Sequence, residues 1–128
     1  MVLLLDTHVL LWALEAPERL PGDVAAQIES PDTTVYFSAA SIWEIAIKMA
    51  LGKVSFQYSP EDIAQAARDT GFVELAVSAA HGAKVAALPP HHRDPFDRLL
   101  IAQILLMPAQ LVTADSALLP YSELVRLI

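Results

Sequence analysis

At 128 residues the chain is long enough for one compact domain with a real hydrophobic core. A formal charge of −7 argues against a passive, basic nucleic-acid binder, and the absence of cysteine excludes disulfides and thiolate metal sites. The 55% hydrophobic share and mean hydropathy of +0.44 are high for a domain of this size, which suggests apolar surface covered by a partner or a second copy.

In chain order, Val2–Leu5 reads as a short buried strand and His8–Glu15 as a helix ending before Pro17. The opening Met1–Leu5 run stops at Asp6 without a basic flank or cleavage site, so no signal peptide is expected. No stretch approaches the ~20 apolar residues of a membrane span, so no membrane association is expected, and the lack of cysteine makes the cytoplasm the expected location. Pro21 and Asp23 open a second helix over Val24–Ser30, and a turn at Pro31–Thr34 leads into a strand at Val35–Phe37. Ser38–Leu51 is helical and stops at Gly52 in the C′ position. Ser59-Pro60-Glu61-Asp62 starts another helix that ends at Gly71, and a strand follows near Phe72–Val77. Ser78–Leu88 reads as helix, closed by Pro89-Pro90, and Pro89–Arg93 as a loop. Asp94 and Pro95 supply an N-cap and a first-position proline for a helix to about Met107. Leu111–Thr113 is a strand, Asp115–Leu119 a short helix and Leu124–Ile128 a last strand. Strands alternating with helices predict an α/β fold, a parallel sheet of four or five short strands covered on both faces, within one domain over residues 1–128.

Four carboxylates stand out against this apolar background: Asp6, Glu44, Asp97 and Asp115. Asp6 ends the first strand and Asp115 follows the Leu111–Thr113 strand, so both fall at the edge of the sheet where ligands gather. Glu44 and Asp97 lie in the early turns of helices that begin at that edge. Burying acids without partners is costly, and the basic residues are few and scattered. A hard divalent cation, Mg²⁺ or Mn²⁺, is the economical counter-charge. One or two such ions activate a water and clamp the departing oxygen of a phosphodiester.

Each acid also has a plainer explanation. Asp6 and Asp115 can cap helices, Asp97 can close a capping box with Asp94, and Ser41-x-x-Glu44 spells another. Glu44 resists this account best, because from Ile42 to Leu51 the only polar side chains are Glu44 and Lys48, four apart on one helix face. That stripe predicts the wall of a polar cleft. Thr7 and Thr113 are candidates for holding waters or phosphate oxygens, though structural roles are commoner for such threonines. Arg98, like Arg93, is a candidate for either a phosphate contact or a local salt bridge. The four histidines lack ligand spacing, with His91 and His92 adjacent in a proline-rich loop, so no zinc site is expected. Trp12 and Trp43 are expected in the core or at an interface rather than as stacking platforms.

With these residues located, the chain resembles the PIN-domain ribonucleases, in particular the VapC-type toxins of VapBC toxin–antitoxin pairs. The matching stretches are Leu4-Leu-Asp-Thr-His-Val-Leu-Leu-Trp12, Ser38-Ala-Ala-Ser-Ile-Trp-Glu-Ile-Ala-Ile-Lys48 with Leu51-Gly-Lys53, the segment from Leu88 to Gln103, and Leu111-Val-Thr-Ala-Asp115. They occur in family order and cover essentially the whole chain. The resemblance implies a three-layer α/β/α fold and a Mg²⁺- or Mn²⁺-dependent endoribonuclease. It places the family's acidic quartet on Asp6, Glu44, Asp97 and Asp115, choosing Asp97 over the neighbouring Asp94. It also implies a homodimer and an inhibitory VapB-type antitoxin binding near the cleft. Met107-Pro108 departs from the family, which commonly carries an acid and a glycine there.

Two other classes fit parts of the sequence. A phosphatase would use Asp6 as nucleophile, but the second aspartate that such motifs want two residues on is replaced by His8. An RNA-binding module without turnover would keep the fold and not need the complete acid set.

Overall fold

The computed structural model describes residues 1–53 and 57–128. Five strands form one sheet: β1 (Val2–Leu5), β2 (Thr34–Ser38), β3 (Val73–Leu75), β4 (Gln110–Thr113) and β5 (Val125–Leu127). Their spatial order is β3-β2-β1-β4-β5, and every neighbouring pair is parallel. The helices between them are α1 (Thr7–Glu15), α2 (Gly22–Glu29), α3 (Ala39–Ala50), α4 (Pro60–Asp69), α5 (Ala79–Val85) and α6 (Pro95–Leu106).

The leucine run of β1 shows why the layers form. Successive strand side chains point to opposite faces, and Leu3, Leu4 and Leu5 are all fully buried, so both faces must be covered. Leu3 and Leu5 join Val35, Phe37 and Val112 against Val9 and Leu10 of α1, Val24 of α2, and Ala64 and Ala67 of α4. Leu4 faces the other way, with Leu111 and Val125, onto Leu100, Ile101 and Ile104 of α6. Each such leucine contributes about 1.5–3 kcal/mol by leaving water. The three-layer α/β/α arrangement follows directly from this double-sided burial.

Local signals set the helix ends. Ser38 caps α3 by accepting from the Ala40 amide, and Ser59 caps α4 by accepting from Asp62. Asp94 caps α6 by accepting from the Phe96 and Asp97 amides, with Pro95 at the first turn. At the other ends, Gly52 (φ +69°) and Gly71 (φ +96°) adopt the left-handed conformation. The paired bonds Gly52 N–H to Met49 and Lys53 N–H to Lys48, and Gly71 to Arg68 and Phe72 to Ala67, then satisfy the terminal carbonyls.

Two predicted helices differ. The α5 helix ends at Val85 rather than Leu88, and the chain tightens, with Ala87 bonding back to Lys84 and Leu88 to Val85. The Val85 and Leu88 carbonyls are instead taken by the Arg98 guanidinium. The segment after β4 is a 3₁₀ turn over Ser116–Tyr121 rather than an α-helix, because Pro120 inside it has no amide to donate. At the Met107-Pro108 departure, Met107 caps α6 with its amide on Gln103, and β4 begins at Gln110.

The strand order positions the site. From β1 the chain moves outward through β2 and β3, then returns to lay β4 on the opposite side of β1. The β1/β4 boundary is therefore a topological switch point, where connections diverge and leave a crevice at the carboxyl ends of the strands. Asp6 follows β1 at that edge, and the pairing of Leu5 with Val112 brings it beside Thr113.

Candidate active site

The crevice is a cleft of about 460 Å³ whose lining includes Asp6, Glu44, Asp94, Asp97 and Asp115. All four acids singled out from sequence thus meet in one place. Lys48 is the only lysine or arginine in the lining, so five carboxylates face a marked shortage of positive charge.

Asp6 is held at both oxygens. Its Oδ1 accepts from the Val9 amide at 2.8 Å, capping α1. Its Oδ2 accepts from the Thr113 hydroxyl at 2.5 Å. The Asp115 amide donates to that same hydroxyl oxygen at 3.0 Å, so one threonine ties two of the acids together. Capping and cleft lining therefore coexist at Asp6, and again at Asp115, whose Oδ1 accepts from the Ala117 amide at 2.9 Å.

Glu44 lies in the second turn of α3, buried at 3% exposure. The Thr7 hydroxyl donates to its Oε1 at 2.6 Å. Thr7 has a single hydroxyl hydrogen, so the Ser41 hydroxyl 2.9 Å away serves as donor to Thr7. Lys48 pairs with Oε2, as the four-residue spacing predicts. Ser41 sits inside α3, so the Ser41–Glu44 pair is a tertiary contact network rather than a capping box. The hydrogen bond to Glu44 raises the Lys48 pKa and keeps that amine charged.

Asp97 meets a partner that the spacing of histidines did not reveal. His92 Nε2 lies 2.9 Å from Asp97 Oδ2 and 3.5 Å from Asp115 Oδ2. The loop before α6 is tied at His92 to the Tyr121 hydroxyl and the Arg98 guanidinium. The available signal was position, since His92 stands two residues before the Asp94 cap at that edge. Asp97 therefore does not close a capping box with Asp94; its carboxylate turns to the cleft.

Burial leaves a mark on the acids. Burial pushes the Asp6 pKa up, against the lowering effect of the Thr113 and Val9 hydrogen bonds. Burial also pushes Asp97 up to about 6, with His92 opposing the shift and Asp94, Asp6 and Glu44 reinforcing it.

The weaker candidates fall out differently. Thr7 and Thr113 are buried, and their hydroxyls orient Glu44 and Asp6. Arg98, a candidate for a phosphate contact or a local salt bridge, is absent from the cleft lining. Its guanidinium donates to the carbonyls of Pro89, Val85, Leu88 and His92 and to the Tyr121 hydroxyl, fixing the loop instead. Of the tryptophans, expected in the core or at an interface, Trp12 packs partly buried against the core. Trp12 lines the cleft, with the Arg19 guanidinium 5.7 Å from its ring centre, and Trp43 is 59% exposed, edge-on to Phe96.

The donor set suits a hard divalent cation. Carboxylate oxygens predominate, and His92, Asp97 and Asp115 offer ligand atoms that all lie within 4.8 Å of one another. Fold and site together define the class: an all-parallel α/β protein with an acid-lined crevice at its switch point. The sequence matches the PIN domain family model over residues 3–123, and the chain belongs to that family. Its fold is similar to that of a chain in the crystal structure of VapBC2 from Rickettsia felis bound to a DNA fragment from their promoter. The TM-score is 0.71 at 15% identity, covering 100% of this chain and 98% of that one. No curated protein matches the chain by sequence. Among the described residues, no helix is long and apolar enough to cross a membrane.

Proposed function

We propose that this protein is a metal-dependent endoribonuclease, the toxin of a VapBC-type toxin–antitoxin pair acting in the cytoplasm. The observation that carries this reading is the convergence of Asp6, Glu44, Asp97 and Asp115, from four separate segments, on one cleft short of positive charge. PIN family membership and the likeness to a chain of a VapBC2 structure support it.

In this reading the four acids hold one or two Mg²⁺ or Mn²⁺ ions, directly or through water. When bound, such an ion supplies charge neutralisation, polarisation of a phosphate oxygen and a lowered pKa for an attacking water. The chain's own residues supply preorganisation. Thr113 and the Val9 amide fix Asp6, and Thr7 and Lys48 fix Glu44, so neither acid has to reorient when RNA arrives. Lys48 also presents positive charge at the cleft wall, where a phosphate of the substrate passes. Arg98 acts at one remove, by holding the loop that carries His92. A VapB-type antitoxin and a second copy of the chain are the proposed protein partners.

Asp6 is a poor candidate for a phosphatase nucleophile, because His8 stands where such motifs want a second aspartate. The deciding experiment incubates the purified chain with total RNA and Mg²⁺ or Mn²⁺, with and without excess chelator. Cleavage products are expected only with metal, and none from Asp97→Asn. Undiminished cleavage in chelator overturns the proposal, and metal-independent RNA retention without products favours a binding module.

A further inference from the structure

We propose that His92 is itself a ligand of the ion held by Asp97 and Asp115, and that this nitrogen donor biases the site toward Mn²⁺ over Mg²⁺. The inference rests on the metal-nuclease reading of the same cleft and adds a donor outside the four acids.

The geometry is already that of a shared coordination edge. Two ligands side by side on an octahedral ion with bonds of ~2.1 Å stand roughly 3 Å apart. The Nε2 to Asp97 separation is 2.9 Å and the Nε2 to Asp115 separation 3.5 Å, so little movement is needed to admit an ion among them. His92 Nε2 and Asp97 Oδ2 share a hydrogen bond; to ligate an ion, Nε2 must offer its lone pair, with the ring's proton on Nδ1.

The surroundings hold the His92 backbone in place. The His92 amide donates to the Tyr121 hydroxyl at 2.9 Å, and its carbonyl accepts from Arg98 at 3.4 Å. Arg98 also donates to that Tyr121 hydroxyl at 3.0 Å, closing a clamp around the loop. The neighbouring His91 ring packs edge-on against Tyr121, 5.1 Å between centres, and only His92 of the pair lines the cleft. Adjacent histidines have thus been given different tasks by one tyrosine.

The chemical consequence is selectivity. Mg²⁺ is satisfied by oxygen and keeps its waters, whereas Mn²⁺ and the later first-row ions gain more from an imidazole. Two carboxylates with one imidazole therefore suit Mn²⁺ better than an all-oxygen set does.

Pulsed electron paramagnetic resonance on the Mn²⁺-loaded protein tests this directly. A nitrogen coupling is expected in the wild type, lost in His92→Gln and kept in His91→Gln and in His8→Gln, the other histidine in the cleft lining. By calorimetry His92→Gln weakens Mn²⁺ binding about tenfold or more, the loss that even an outer-shell partner commonly brings, and Mg²⁺ binding by clearly less. Bound Mn²⁺ with no nitrogen coupling, or coupling that survives His92→Gln, overturns the assignment while leaving the four-acid site standing. If the wild type binds neither ion, the metal-nuclease reading fails and this inference with it. Should His92→Gln fold poorly, a wild-type spectrum without nitrogen coupling still overturns the assignment, and coupling kept in both His8→Gln and His91→Gln supports it.

Discussion

The two halves of the cleft are built on different principles. On the β1/α3 side, Asp6 and Glu44 are buried and held by neutral hydroxyls and an amide, with Lys48 the one charged partner. On the loop side, Asp97 and Asp115 are part-exposed and face each other across His92. Hydroxyl and amide donors orient a carboxylate without cancelling its charge, so the buried half keeps its negative potential for a cation. The loop half is open enough for ligands to enter and leave. The difference teaches that one half is buried and fixed by hydrogen bonds while the other is left accessible to solvent.

That division can be broken experimentally. The largest effect is expected from Asp6→Asn: the amide oxygen can still cap α1, so circular dichroism stays native. RNA cleavage falls by at least about 100-fold, the scale on which losing one electrostatic stabiliser acts. An active Asp6→Asn protein would remove the buried half from the chemistry.

Lys48→Met comes next. It leaves Glu44 buried with an oxygen unpaired, and denaturant melts are expected to show a loss of about 1–3 kcal/mol. Adding Glu44→Gln should recover much of that loss, because the two residues act as a pair. Simple additivity would show that they do not.

Thr113→Val keeps the shape of the strand but deletes the hydroxyl joining Asp6 to the Asp115 amide. We expect about 1 kcal/mol of destabilisation and, by calorimetry, metal affinity lowered about tenfold, as for other partners that orient a ligand. Unchanged metal affinity would mean that Asp6 orients itself.

The smallest effect sharpens the loop half. Burial pushes Asp97 up to about 6, above the ordinary 3.8, so the folded state holds that proton more tightly than the unfolded chain does. The resulting penalty is full above pH 6 and disappears as pH falls through about 6 toward 4. Metal-free Asp97→Asn should therefore melt several degrees higher than wild type at pH 8 and lose that gain as pH falls below about 4. A gain that is equal at both pH values would assign the effect to packing rather than charge.

The order of elements was legible because its causes are local. Gly52 and Gly71 end helices through their own backbone freedom, Asp94-Pro95 starts one, and the Val2–Leu5 run has no amphipathic alternative to a doubly buried strand. Glu44 and Lys48 were readable as one stripe for the same reason, four residues apart on one turn of helix. The family resemblance then chose Asp97 over Asp94, where spacing alone left both open.

The tertiary structure decided what sequence distance hides. The Thr113 hydroxyl reaches Asp6 across 107 residues, because β4 returns to the free edge of β1. The folded chain also sets His92 beside Asp97 and Asp115 and turns Arg98 onto loop carbonyls, contacts that charge and spacing did not indicate. Caps and hydrophobic periods act over a single turn and are written residue by residue. The convergence of side chains at a switch point depends on strand order, and strand order is a property of the whole packed chain.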